Sequence, residues 1–157
     1  MNSQLSRRTV LCSTVAATVG LAGCSSDGDS STSGGSGETN PWEEILNTRE
    51  TIQEDAYNSW SWSTEERTEL RWEFTVRDGP EVELFVLEPG EFDEYEAENR
   101  FYTVESASGT SGSSTFTVES GSYRFVLDNT DSGNVQPPTN LVDDAVEVEL
   151  SIEARSA

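Results

Sequence analysis

Two-residue periodicity governs most of this chain. Leu70, Trp72, Phe74 and Val76 alternate with Arg71, Glu73, Thr75 and Arg77, and Val146, Val148, Leu150 and Ile152 alternate with Glu147, Glu149, Ser151 and Glu153. Successive side chains of a β-strand point to opposite faces, so each run builds a strand with one apolar and one wet face. Wound as a helix, the same residues would spread their apolar groups around the whole cylinder. Shorter runs of this kind occupy 60–62, 82–86, 101–104, 114–118 and 123–127, separated by Asp78-Gly79-Pro80, Pro89-Gly90 and Ser120-Gly121-Ser122. The last of these breaks reads as a hairpin turn. Seven alternating runs with turn signals between them predict an all-β fold. The expected form is an antiparallel β-sandwich, jelly-roll or Ig-like, of about seven strands.

One or two short helical segments are expected beside the strands. Asn40-Pro41-Trp42-Glu43-Glu44 offers an N-cap, a proline at the first helical position and early acids, which predicts a helix over 41–48 giving way to strand near Thr51. Farther on, Val82, Leu84 and Val86 share a strand with Phe85 and Leu87, whose apolar side chains fall on the face that should be wet. Something must cover them. Phe92 and Tyr95 stand three residues apart, on one face of a helical turn, so a short acidic helix within 89–98 is expected to fold over Phe85 and Leu87. Trp60, Trp62 and Trp72 fall on inward faces and read as core. Trp42 has no evident destination.

The N-terminal residues 1–23 read as an export signal. Ser6-Arg7-Arg8-Thr9-Val10-Leu11 resembles the twin-arginine motif, and the mildly apolar run behind it is shorter than the roughly 20 residues a spanning helix needs. Leu21-Ala22-Gly23-Cys24 resembles a lipobox, in which small residues precede a cysteine that receives lipid and becomes the new N-terminus. Residues 24–40 then form a lipidated Cys24 and a Ser/Gly/Asp linker, and 41–157 form the folded domain. The one other cysteine, Cys12, falls within the signal, so no disulfide staples the domain. These features place the protein on the extracellular face of the cell membrane, held by lipid on Cys24.

Composition removes whole classes of chemistry. The 157 residues hold 30 Asp and Glu, nine basic residues that are all Arg, and no His, for a formal charge of −21. Without Lys there is no Schiff base, and without His no Ser-His or Cys-His nucleophile and no imidazole pair for copper. The charge excludes nucleic acid as a partner, because binding it requires cations that neutralise phosphates. Loss of residues 1–23 removes Arg7 and Arg8 and no acid, leaving seven Arg against 30 acids, a charge of −23. Such a skin reads as an adaptation to concentrated salt, which screens the repulsion.

Residues 117–130, TVESGSYRFVLDNT, carry a strand, a Gly-x-Tyr turn and an apolar strand closing in Asp-Asn-Thr. With Ser59-Trp60-Ser61-Trp62, Phe74-Thr75-Val76-Arg77-Asp78-Gly79-Pro80 and Pro137-Pro138-Thr139-Asn140 before Asp143-Asp144, this pattern is similar to GOLD-like (p24-type) jelly-roll sandwiches. It resembles more closely the domains of small lipoproteins exported by halophilic archaea, across about residues 57–154. The resemblance implies a noncatalytic interaction module with a protein or glycan partner. A carbohydrate-binding module is the alternative, and a small hydrolase a more distant one. No cofactor is expected. The loop Asp128-Asn129-Thr130-Asp131-Ser132-Gly133-Asn134 superficially resembles a calcium loop, and Asp128, Asp131, Asp143 and Asp144 are the only candidate Ca²⁺ ligands, although acids are missing where such a loop needs them.

Overall fold

The alternating runs pair as antiparallel strands, and their apolar faces meet. The computed structural model describes Cys12–Ser13, residues 40–137 and residues 144–157. The elements in order are β1 (Cys12–Ser13), β2 (Glu43–Ile52), β3 (Ala56–Thr64), β4 (Thr68–Asp78), β5 (Val82–Leu87), α1 (Pro89–Glu96), β6 (Glu105–Gly109), β7 (Ser111–Val118), β8 (Gly121–Asn129) and β9 (Val146–Ser156). Among the described residues they form two sheets, β1-β3-β8-β5-β6 and β2-β9-β4-β7. The two-residue β1 runs parallel to Ser59 and Trp60, and every other pairing is antiparallel. Setting β1 aside, β8 returns to lie between β3 and β5, and β9 between β2 and β4. That double return is the strand order of a jelly roll.

The inner faces carry the residues that the alternation marks. Leu70, Trp72 and Phe74 of β4 and Val146, Val148, Leu150 and Ile152 of β9 are buried against Trp60, Leu84, Val86, Phe125 and Leu127 from the opposite sheet. Trp62 is partly buried against the same core. Strand β5 lies inside its sheet with all six residues buried, because its outer face is covered too. There Phe92 and Tyr95 of α1 join Tyr57, Phe85, Leu87 and Val126 in a second apolar cluster. The expected helix over Phe85 and Leu87 is therefore present, and each large side chain it shelters contributes roughly 1.5–3 kcal/mol. At the β4–β5 turn Gly79 takes a φ of +103°, and a Cβ there would stand 2.5 Å from the Ala145 carbonyl oxygen, so the turn requires glycine.

Three expectations are corrected. The segment 41–48 is not a helix: it opens β2, which pairs with β9 from Glu43↔Ala154 to Ile52↔Val146. The strand hides in the sequence because Glu50 shares the side of Leu46 and Ile52, its carboxylate accepting bonds from Thr48 Oγ1 at 2.6 Å and Asn58 Nδ2 at 3.0 Å. Residues 101–104 are irregular, and β6 begins only at Glu105, because Phe101 is drawn onto the second apolar cluster instead of into a ladder. Finally, residues 120–122 do not close a hairpin, since β7 and β8 lie in different sheets and the turn carries the chain between them.

Candidate functional site

The outer faces of the two sheets differ in chemistry. On the sheet holding β4 and β9 the alternation sets arginines against glutamates: Arg71 pairs with Glu153, Arg77 with Glu149, Arg49 with Glu147, and Arg155 with Glu69. Hydrogen bonding to these partners holds the Glu149 and Glu153 carboxyls below, and the Arg71 and Arg77 guanidiniums above, their ordinary values. Trp42 lies over this lattice with Arg71 and Arg155 each 4.4 Å from its ring, which settles the place of the one tryptophan the pattern leaves open. Two hollows, of about 360 and 590 Å³, lie among these ion pairs, with Arg49, Arg77 and Glu149 lining the first and Arg71 and Glu153 the second.

The other sheet carries a groove. A cavity of about 440 Å³ opens between the α1–β6 connection, at Asn99–Thr103, and the loop after β8, at Ser132–Asn134, with Glu83, Phe85 and Ser106 along its base. Hydrogen bonds fix the first wall: Tyr102 N donates to Glu91 Oε2 at 2.8 Å, Asn99 Nδ2 to Glu94 Oε2 at 2.8 Å, and Val104 N to Val86 O at 2.8 Å. Phe101 turns inward onto Phe85 and Tyr95, with ring centroids 5.2 and 5.3 Å away. Tyr102 turns outward with 64% of its surface exposed, and Arg100 lies 5.4 Å over its ring.

The second wall hangs on a buried acid. Glu83, 2% exposed, accepts bonds from Asn134 N at 2.6 Å, Asn134 Nδ2 at 3.0 Å and Val135 N at 3.4 Å. The loop comes so close that a Cβ on Gly133 would stand 2.3 Å from Glu83 Oε2. Directly across the strand pair from Glu83 is Asp128, also 2% exposed, which accepts the Tyr95 hydroxyl at 2.6 Å. Burial pushes the Asp128 carboxyl up to about 6, against hydrogen bonds from Tyr95 and Thr130, and the negative Glu83 adds to the rise. Burial and the neighbouring Asp128 drive the Tyr95 hydroxyl upward as well. The two acids have structural tasks, Glu83 toward the loop and Asp128 toward α1.

Of the site residues singled out by sequence, the structure describes Asp128, Asp131 and Asp144. Asp128 faces α1, Asp131 is exposed on the loop, and Asp144 places its backbone between Glu54 Oε2 and Asn129 Nδ2. Asp143 lies outside the described residues, as do Arg7, Arg8, Leu21, Ala22, Gly23, Cys24 and the linker up to residue 39. Among the described residues no group of three or more Cys, Asp or Glu is placed to hold a metal ion, and no helix is long and apolar enough to cross a membrane. The groove residues Tyr102, Asn134 and Glu83 went unmarked. Glu83 did stand in the sequence as the one polar member of an outer face otherwise formed by Phe85 and Leu87.

No protein family and no curated protein matches the chain. Among solved structures it is similar to the pre-peptidase C-terminal domain of collagenase from Bacillus anthracis, at 13% identity and a TM-score of 0.42 over 67% of this chain and 89% of that one. It is also similar to Aeromonas hydrophila PliG, a periplasmic inhibitor of g-type lysozyme, at 7% identity and a TM-score of 0.44 over 75% and 90%. A third similar structure comes from the disulfide-linked pili of Bacillus endospore appendages, at 12% identity and a TM-score of 0.35 over 82% and 100%.

Proposed function

We propose that this chain is a lipid-anchored protein of the outer cell surface, exported through a twin-arginine signal and held at Cys24, whose β-sandwich is a noncatalytic interaction domain adapted to high salt. The observation that carries the binding reading is Tyr102, a large ring 64% exposed on a loop pinned by hydrogen bonds, at the mouth of a groove of about 440 Å³. A ring with an apolar face and a polar tip beside a concave polar surface is one on which a ligand can stack. The position of the groove suits an anchored protein. The linker joins the domain at the start of β2, whereas Glu83 is the second residue of β5, at the opposite end of the sandwich where the Gly79 turn lies.

The likeness to GOLD-like sandwiches and halophilic lipoproteins, which rests on residues 57–154 of the sequence, is part of this proposal. The hydrolase alternative calls for two carboxylates facing one substrate. Here Asp128 is turned toward Tyr95 and Glu83 toward Asn134, which favours the binding reading. Cell fractionation tests the anchor: Cys24→Ser is expected to move the protein from the membrane into the medium, and retention of the variant in the membrane would refute it.

A further inference from the structure

We propose that the groove beside Tyr102 takes a neutral saccharide, an inference that rests on reading this face as a binding site. The backbone that carries Tyr102 is held before any ligand arrives, since its N is bound to Glu91 and its neighbour Phe101 is packed between Phe85 and Tyr95. An aromatic side chain has only two torsions to lose on binding and offers a flat apolar surface with a polar tip. Pyranose rings offer the matching surface, a face of C–H groups edged by hydroxyls. Around Tyr102 the groove supplies hydroxyl groups from Thr103, Ser106 and Ser132, the partners a polyhydroxylated ligand needs.

Charge narrows the class. The lining of the groove holds one cation, Arg100, and one acid, Glu83, and so no excess charge of either sign. A cation would meet Arg100 at the mouth, while Glu83 at the base is already engaged by Asn134 and Val135. An uncharged ligand that hydrogen-bonds along its edges and stacks on its face fits what remains.

The test uses the full chain carrying Cys24→Ser, so that lipid insertion cannot retain it, mixed in high salt with envelope membranes of the producing cell. The membranes are left untreated, oxidised with periodate to destroy glycans, or digested with protease. The expected result is sedimentation with untreated and protease-digested membranes and its loss after periodate. Tyr102→Ala is expected to weaken retention by about tenfold and Tyr102→Trp to preserve it, both with unchanged melting temperature because this ring is exposed. Retention that survives periodate but not protease would overturn the saccharide and leave a binding domain for protein. No retention, or retention indifferent to Tyr102→Ala, would overturn both the saccharide and the assignment of this groove.

Discussion

Asp128 shows how one buried carboxylate shapes the behaviour of the domain. Its folded pKa of about 6 stands above the ordinary 3.8, so the folded state holds this proton more tightly than the unfolded chain does. The contribution to stability is therefore complete below pH about 4 and is lost as pH rises through about 6. Asp128→Asn retains an acceptor for Tyr95 and removes the buried charge. The variant is expected to be more stable than the parent by about 1–3 kcal/mol at pH 7, with a flatter dependence between pH about 4 and 6. Melts across that window check it, and parallel curves for the two proteins would count against the assignment. On the opposite sheet, Trp42 is held between Arg71 and Arg155. Trp42→Ala is expected to lower the melting temperature by about 2–5 °C, with the loss localised by faster hydrogen exchange at the start of β2.

At the scale of elements, α1 is the piece whose place was written most directly in the residues. Phe85 and Leu87 are apolar on a face that alternation would leave wet, and Phe92 and Tyr95 are spaced to cover them, so the demand and its answer both lie within fifteen residues of chain. Phe92→Asp removes a buried ring and puts a charge in its place. It is expected to destabilise the domain by at least about 3 kcal/mol, measured by denaturant or thermal unfolding, and an unchanged midpoint would show that α1 does not hold this face. Strand β2 was illegible for the opposite reason. Its cues up to Glu44 are those of a helix start, and Glu50 interrupts its apolar side, whereas its actual partner, β9, lies about a hundred residues away. The groove shares that difficulty. Its two walls come from the α1–β6 connection and the loop after β8, and only the β5–β8 pairing brings them to one place.

Across the whole molecule the dominant fact is the charge, −21 for the chain. The outward acids of β4 and β9 are partly answered by arginines, yet 30 acids face nine basic residues, and the excess must repel itself. At 1 M salt the screening length falls to about 3 Å, against about 10 Å at 0.1 M. Relief of about 2 kcal/mol of repulsion would raise the melting temperature of a domain this size by about 8 °C, so melts from 0.1 to 1 M NaCl are expected to climb by that order. A melting temperature that stayed level or fell would refute the salt adaptation. The class of fold, the inward tryptophans and the acidic skin are legible in the residues alone, because period-two alternation and net charge are local or additive properties that no tertiary contact has to supply. The jelly-roll order, the strand identity of β2, the pairing of Trp42 with two arginines and the setting of Glu83 and Tyr102 around one groove emerge only in the folded chain. Those depend on contacts between residues distant in the chain, and such contacts exist only once burial of the two apolar sheet faces has closed the sandwich.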